Sequence, residues 1–411
     1  MVEALVPRRL GSGFRWLWSA SSAGNVADGI LLAAAPLLVA RLTDDAFPVA
    51  LAVFLQRLPW LLFSLLAGAL IDRVDRLRLT VAVYGMRAAT VGLLAVAVAA
   101  DRASLAAVYA VTFLLGTAET VADNASNALV PEVVPDRGLG LANARLVASQ
   151  MVANQLVGPP VGAFLFSIGL VLPFGAYAVA MAAGAVLLTR TTRLAHRHVP
   201  PERRAVRHEV AEGVRWLWHH PPVRTLALTI AGFNITFGAA ISVLVLLAQQ
   251  RLGLGDRGYG LLLAASAVGG VVGAVSYGHL ERRFSLGTLM RGGLIIETLT
   301  HLGLALVTSS VAAGVVLLVF GAHAAVWGTT STTVRQRGVP PHLQGRVSSV
   351  YGLGSLGGIA IGSVLGGVLA QRGDITTPYW FAFGGSVLMT VLLWRQFPLI
   401  AHAADDPSAT E

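Results

Sequence analysis

Long apolar runs alternate with short polar segments along the whole chain. An α-helix needs about 20 apolar residues to cross the hydrocarbon core of a bilayer. The pattern predicts twelve such spans, at 14–40, 48–71, 79–100, 103–130, 140–167, 170–190, 223–250, 258–280, 286–308, 311–334, 344–370 and 376–397. We therefore expect an all-α membrane protein.

Composition agrees with this pattern and excludes several classes of protein. Hydrophobic residues occupy 55% of the 411 positions and charged residues 12%, whereas soluble domains carry about 25% charged residues. The first apolar run is too long for the core of a signal peptide, so we expect it to remain attached. Cysteine is absent, which excludes disulfides and thiolate metal sites. We predict no cofactor and no metal.

The positive charge of the chain comes from arginine alone and is distributed unevenly. Arginines concentrate before the first predicted span and after every second span. By the positive-inside rule, these segments and both termini lie in the cytoplasm, on the inner side of the cell membrane. The formal charge of +9 is thus explained by arginines in segments that face the cytoplasmic side of the lipid bilayer. Nucleic acid is not expected as a partner.

A long polar segment at 191–222 divides the chain into two similar halves. The motif Arg-Trp-Leu-Trp occurs at 15–18, before the first span, and again at 215–218, before the seventh. We expect an N-terminal six-helix bundle at 1–190, a basic linker at 191–222, a C-terminal six-helix bundle at 223–398 and a tail at 399–411. Within the linker, apolar spacings of three and four favour an amphipathic surface helix, the alternative being a solvated connector; the apolar positions are Val206, Val210, Val214 and Leu217.

A dense group of charges lies between the second and third spans. Gly68, Asp72, Arg73 and Arg76 form the pattern Gly-x-x-x-Asp-Arg-x-x-Arg. This pattern resembles the signature loop of the major facilitator superfamily of secondary transporters, although Asp75 stands where that family usually has a glycine. The resemblance implies twelve transmembrane helices in two pseudo-symmetric six-helix bundles, with a binding site near the bilayer midplane.

A second motif resembles an element of exporters and antiporters in that superfamily. Gly158, Pro159 and Gly162 form Gly-Pro-x-x-Gly in the fifth span. Proline bends a helix because it lacks a backbone donor, and glycine lets another helix pack closely. Further positions resemble the group that contains macrolide efflux proteins and the enterobactin exporter: Asn25, Asp28, Gly29, Glu119, Thr120, Pro131, Glu132, Leu141, Ala142 and Asn143.

Asp28 is the strongest candidate for a functional residue within the membrane. It lies about 21 Å along the first span at 1.5 Å per residue, close to the bilayer centre. A carboxylate at that depth is costly, so we expect it to face an internal cavity and either to pair or to take up a proton. Asn25, one turn earlier, belongs to the same candidate site; a purely structural contact between the two is the alternative.

Two further acids are predicted on the fourth span. Glu119 and Asp123 are four residues apart and share one helix face. Either Glu119 is a second site for protons or a cationic substrate, or both acids belong to a polar network with Asn124 and Asn127. The resemblance implies that Asp123 pairs with Arg76 in the cytoplasmic gate.

Two arginines also lie within predicted spans, Arg57 on the second and Arg87 on the third. Arginine stays protonated in proteins, so its expected role is that of a counter-ion. We predict Arg57 as the partner of Asp28 or Glu119 and expect Arg87 to extend toward the cytoplasm.

The C-terminal half contains fewer charges within its spans. Glu297 and His301 share a face of the ninth span, and His323 lies on the tenth. Because histidine titrates near physiological pH, these residues either take part in proton coupling or are satisfied within helix packing. The sequence leaves both interpretations open.

These features predict a transporter rather than an enzyme. The hypothesis is export of small amphipathic or hydrophobic compounds, such as drugs, antibiotics or siderophore-like molecules, in exchange for protons by alternating access. Uptake or facilitated diffusion is the first alternative, and a membrane-embedded receptor or enzyme is the second. The expected partners are a small-molecule substrate, protons and the bilayer, with the protein acting as a monomer.

Overall fold

The structure of the protein is a computed structural model that describes residues 10–71, 74–192, 206–340, 343–397 and 400. The side-chain surroundings of 64–71, 127, 136 and 206–210 lie outside the described part. Every regular element in the described residues is a helix, which confirms the predicted all-α class.

The first half of the chain forms six long helices. They are α1 (Gly11–Leu42), α2 (Ala46–Ile71), α3 (Arg76–Ala99), α4 (Leu105–Val133), α5 (Leu139–Ile168) and α6 (Leu172–Thr189). The middle of α5 widens into a π-helix at Gln150–Val157. Such segments are rare and occur often at functional sites.

The second half begins with a helix in the linker and continues with six more. They are α7 (Val206–His219), α8 (Pro221–Arg251), α9 (Asp256–Arg283), α10 (Leu286–Leu306), α11 (Ser310–Gly338), α12 (Gln344–Arg372) and α13 (Thr377–Leu393). In the described residues, eleven helices are long and apolar enough to cross a membrane, and α13 is a shorter apolar helix of 17 residues. The ends of the predicted spans differ from the helix ends by no more than four residues.

Polar side chains determine where several helices begin. Asp75 Oδ1 accepts a hydrogen bond from the backbone N–H of Arg78 at 2.8 Å, and Ser104 and Ser285 cap α4 and α10 in the same manner at 3.2 Å. Each cap satisfies an N–H group that the first helical turn leaves unpaired. Asp75, which stands where the resembled family usually has a glycine, therefore has a structural role, because it caps the start of α3.

Internal contacts divide the chain into two compact units. The first unit comprises Met1–Thr43 and Leu58–Arg203, and the second comprises Asp44–Arg57 and Arg204–Glu411. The beginning of α2 is thus grouped with the second unit and its remainder with the first.

In the first unit, α1 crosses α5 at a pair of glycines. A Cβ atom on Gly29 or on Gly158 would overlap the backbone of the other helix, and Gly162 lies equally close to the backbone of Ile30. Only residues without a side chain allow two helices to approach in this way. The Gly-Pro element of α5 is therefore held directly beside Asp28.

In the second unit, α12 packs on α8 through similar glycine contacts, which repeat along one face of α12. Three glycines of α12, spaced four residues apart, lie against the backbone of α8: Gly358, Gly362 and Gly366. Four-residue spacing places them on one side of the helix. These glycines bring α8 and α12 into close contact over more than two turns.

The linker helix α7 docks on the beginning of α12. Glu212 pairs with Arg346 at 2.7 Å, and a Cβ on Gly213 would lie 2.9 Å from the carbonyl oxygen of Arg346. Leu217 joins a buried apolar cluster with Val223, Val339, Leu343 and Val347. A helix thus lies within the linker segment, and it packs on α12 inside the second unit.

Candidate functional site

A buried ion pair joins α1 and α3 in the first unit. Arg87 Nη2 donates a hydrogen bond to Asp28 Oδ1, and the two side chains are 4% and 20% exposed. Arg87 lies eleven residues after Arg76, the first residue of α3, and twelve before Ala99, the last. Neither charge is near a helix end, and an ionised group at such depth persists only when it is paired.

Tyr177 of α6 completes this site. Its side chain is fully buried, its hydroxyl lies 3.4 Å from Asp28 Oδ1, and the Arg87 guanidinium lies 5.9 Å from the centre of its ring. The hydroxyl donates to the carboxylate while the ring offers its negative face to the guanidinium. Helices α1, α3 and α6 thus converge on one charge pair.

Tyr84, one turn before Arg87, fits between α1 and α6. A Cβ on Gly24 would lie 2.7 Å from the Tyr84 hydroxyl, and a Cβ on Gly184 would lie 2.8 Å from its ring. Glycine on both sides makes room for the phenol. The aromatic ring therefore fixes the rotation of α3 that aims Arg87 at Asp28.

Two further acids near the ion pair of Asp28 and Arg87 are Glu119 and Asp123 of α4. Glu119 is half-buried and Asp123 is exposed, and both carboxyl groups lie within electrostatic reach of Asp28 and Arg87. Asp28 is the acid in contact with Arg87, and Glu119 and Asp123 add negative charge near this pair. Asn124 donates to the carbonyl of Thr120 at 2.8 Å, so its amide is directed to its own helix. The side-chain surroundings of Asn127 lie outside the described part.

The structure corrects two predictions about partners in this site. Arg87, rather than Arg57, is the counter-ion of Asp28, because it lies at mid-helix and is too far from either end of α3 to reach the membrane surface. Asn25 Nδ2 donates to Ser21 Oγ at 3.4 Å, which directs it one turn back along α1 rather than toward Asp28. Arg57 is half-buried on α2.

The predicted pair between Arg76 and Asp123 is also corrected. Arg76 Nη1 lies 2.9 Å from Glu132 Oε1 and 3.5 Å from the carbonyl of Ala128. Asp123 is nine residues before Glu132, about 13 Å deeper along α4 at 1.5 Å per residue, while Arg76 starts α3. Glu132 is level with Arg76 and takes the place predicted for Asp123.

Other predicted residues of the signature loop are described only in part. Asp72 and Arg73 lie outside the described residues. Gly68 lies in the last turn of α2, and its packing is also outside the described part.

The second unit brings together the three titratable residues whose role the sequence left open. Glu297 Oε1 lies 3.3 Å from His301 Nε2, and Glu297 Oε2 lies 3.0 Å from His323 Nε2. All three residues are buried. The pairing of His301 with Glu297 follows from their spacing of four, whereas no spacing signal connects His323 to them, because it lies on another helix.

Comparison with known proteins assigns the family. The sequence profile of the major facilitator family described as transmembrane secretion effector matches residues 4–411. The chain belongs to this family. The protein is thus a multi-pass membrane transporter of the major facilitator superfamily and not an enzyme.

Two curated relatives of this transmembrane secretion effector are similar over nearly their full length. The multidrug efflux pump Tap of Mycolicibacterium fortuitum is 26% identical over 380 residues, which cover 87% of this chain and 89% of Tap. The enterobactin exporter EntS of Escherichia coli O1:K1 is 25% identical over 406 residues, which cover 95% of each chain.

Solved structures with the same fold are more distant in sequence. The nucleoside transporter NupG matches with a TM-score of 0.71 and 12% identity, covering 94% of this chain and 99% of NupG. A bacterial homologue of the iron transporter ferroportin matches with a TM-score of 0.75 and 17% identity, covering 95% of this chain and 98% of the homologue. These likenesses establish the major facilitator fold.

Proposed function

We propose that this transporter exports small amphipathic or hydrophobic compounds in exchange for protons, as a monomer that alternates between inward and outward access. The observation that carries the proposal is the ion pair of Asp28 and Arg87 in the first unit, with the acids Glu119 and Asp123 of α4 within electrostatic reach of it. Excess carboxylates within apolar helices are costly unless protons or a cation neutralise them. A proton-coupled exporter needs such a group.

Within this group, the acids are the proton carriers. The guanidinium of Arg87 does not release its proton in proteins, so it holds Asp28 in position instead. When Asp28 takes up a proton, its attraction to Arg87 and Tyr177 weakens. We propose that this exchange, at Asp28 or Glu119, alters the packing of α1 against α3 and is coupled to outward release of substrate.

The proposed direction of transport rests on the names of the relatives. The proposed substrate class rests on the composition of the helices. Both curated relatives described above are named as an efflux pump or an exporter. The helices of this chain are rich in leucine, valine and phenylalanine and contain few charges, which suits an apolar compound. A cationic compound would also be accommodated next to Glu119.

We further propose that the cytoplasmic side is the one where the arginine-rich segments lie. The positive-inside rule then puts both termini, the linker 191–222 and the pair formed by Arg76 and Glu132 in the cytoplasm. In this orientation Gly68, Asp72 and Arg73 belong with that pair to an inner gate.

The test is transport into inside-out membrane vesicles with an imposed proton gradient, acid inside. A fluorescent lipophilic dye and a panel of antibiotics and siderophores serve as probes. The wild-type protein is expected to accumulate at least one probe, and dissipating the gradient with an ionophore is expected to stop this. Asp28→Asn and Glu119→Gln are expected to lose the proton-driven component.

The matched control is Asp101→Asn, which removes an acid in the exposed turn between α3 and α4 and should transport as the wild type does. Accumulation of probes only in right-side-out vesicles would indicate uptake instead. Proton-driven transport that is unchanged in both acid variants would remove Asp28 and Glu119 from the mechanism.

A further inference from the structure

Two pockets in the second unit border the cluster formed by Glu297, His301 and His323, here called the histidine cluster. The first pocket, of about 90 Å³, is lined by His301. The second pocket, of about 230 Å³, is lined by Glu297 and His323. The histidine cluster therefore borders both pockets with different side chains.

Aromatic side chains form the remaining boundary between the pockets. Phe237 of α8 and Phe320 of α11 line both of them and stack with ring centres 5.4 Å apart and planes 12° apart. Apolar rings do not carry protons or hold water. The histidine cluster, by contrast, places polar side chains on the walls of both pockets.

The carboxylate of Glu297 contacts one imidazole through each oxygen. His301 Nε2 lies 3.3 Å from Oε1, and His323 Nε2 lies 3.0 Å from Oε2. If both rings are neutral and donate from Nε2, each Nδ1 is an acceptor without its own proton. The cluster therefore has free capacity for protons on nitrogen atoms that are directed away from the carboxylate.

His301 is buried without hydrogen bonds to its ring nitrogens from the described residues. Its side chain is 1% exposed and lines the first pocket, and neither of its ring nitrogens has a hydrogen-bond partner among the described residues, although Nε2 lies 3.3 Å from Glu297 Oε1. A buried polar atom without a partner costs free energy. A proton, shared with a water or another acceptor in the pocket, removes that cost.

Other polar groups near the cluster are neutral and satisfied elsewhere. On α8, the Asn234 amide bonds to Ser355 at 3.0 Å, and on α10, Thr298 bonds to the Leu294 carbonyl and lies 3.3 Å from Thr390 of α13. The next charged residue on α10, Arg291, bonds to the carbonyl of Trp394 at 2.9 Å. In the described part of both pockets, the cluster supplies all the titratable side chains.

The charge of the cluster depends on how many protons it holds. With two neutral histidines its charge is that of one carboxylate; one added proton makes it neutral. In apolar surroundings the neutral state is the least costly. The Glu297 carboxylate also favours an imidazolium placed next to it, since opposite charges at this distance stabilise one another.

We propose that His301, Glu297 and His323 form a second proton-binding site, in the second unit, which is separate from the acids around Asp28. The proton binds at Nδ1 of either imidazole, where an N–H bond forms, while Nε2 of that ring stays next to a carboxylate oxygen of Glu297. The proton comes from water in the adjoining pocket and returns to it. This site goes beyond the proposed exchange at Asp28 and does not depend on it.

The test measures the protonation of the two histidines directly. The full-length protein, labelled with ¹⁵N in histidine and placed in lipid nanodiscs, is titrated from about pH 8 to about pH 5, the range in which imidazoles titrate. The signals are assigned by their loss in His301→Gln and His323→Gln. In the wild type, at least one of the two rings is expected to change from neutral to charged within this range.

Glu297→Gln is the deciding variant, because it keeps the shape of the side chain and removes its charge. At a given pH, the charged fraction of His301 and His323 is expected to fall about tenfold or more, and Glu297→Asp should recover part of it. The exposed His279 of α9 is the control and should titrate identically in all variants.

Two results would overturn the proposal. One is a wild-type spectrum in which neither of the two assigned buried rings changes its protonation state. The other is a Glu297→Gln protein whose buried rings titrate like those of the wild type. Because no transport is measured, neither result depends on whether the protein is a proton antiporter.

Discussion

The two units each contain a buried charge cluster, at matching points of their third and fourth apolar helices, but the residues differ. Arg87 lies eleven residues after Arg76, the first residue of α3, and Glu297 lies eleven residues after Leu286, the first residue of α10. The first unit places a permanent cation at this point. The second places an acid there and provides histidines as its partners.

This difference determines which group can exchange a proton in each unit. In the first unit the guanidinium stays charged, so only its acidic neighbours can exchange a proton, and the pair attaches Asp28 of α1 to α3. In the second unit the partners of the acid are imidazoles, which gain and lose protons near neutral pH. The first cluster joins helices through a cation of fixed charge, and the second is the one for which we propose a charge that varies.

The largest expected effect is a difference in the free energy of unfolding between variants of the two clusters. Arg87→Ala leaves Asp28 buried without its cation and should destabilise the protein by about 3–5 kcal/mol. Glu297→Ala leaves two rings that can be neutral, so its cost should be nearer about 1–3 kcal/mol. Unfolding in detergent, followed by circular dichroism against denaturant, provides the comparison.

The double variant Asp28→Asn with Arg87→Gln is the control for the first cluster. Because it removes both charges together, it should be more stable than Arg87→Ala alone. Equal losses in Arg87→Ala and Glu297→Ala would show that the two clusters do not differ in the way described above.

An intermediate effect is expected at the glycine contacts. Gly158→Val places a branched side chain against the backbone of Gly29, which should cost about 1–3 kcal/mol from overpacking and also impair transport, since Asp28 is adjacent. Gly362→Val should cost a similar amount of stability in the second unit. Thermal unfolding and vesicle transport are measured together.

Gly140→Val is the control on the same helix as Gly158. A Cβ at Gly140 meets no atom within 4 Å, so this variant reports only the change in helix propensity, which is higher for valine than for glycine. If Gly140→Val and Gly158→Val lose the same stability, the close contact between α1 and α5 is not the cause.

The smallest effect concerns a tyrosine hydroxyl in each unit. Tyr177→Phe removes the 3.4 Å contact with Asp28 but keeps the ring beneath Arg87, and should cost about 0.5–1.5 kcal/mol. Tyr379 of α13 is equally buried, and its hydroxyl has no partner among the described residues. Tyr379→Phe should therefore be neutral or stabilising; a loss equal to that of Tyr177→Phe would contradict this reading of the site.

Much of the fold could be predicted from the order of residues along the chain. A helix that crosses lipid must be apolar over its whole length, because every exposed polar group there is costly. Breaks such as the one around Asp75 and the prolines near Pro221 therefore mark helix ends directly. The motif around Gly158 likewise predicted a close approach of α5 to another helix.

The partners of the buried charges could not be predicted in the same way. Spanning helices are apolar on all sides, so their periodicity does not reveal which face is turned inward. Asp28 had two candidate arginines, and depth alone favoured Arg57. The choice of Arg87 depends on the rotation of α3, which the contacts of Tyr84 with Gly24 and Gly184 impose.

The sequence by itself determined the helices, their lengths and the types of chemical group within the membrane, because these depend on neighbours along the chain. Only the tertiary structure decided that Glu297 meets His323, that Arg76 meets Glu132 and that Arg87 meets Asp28. These pairs join different helices, and the depth and rotation at which two helices pack are set by side-chain contacts that no local pattern encodes.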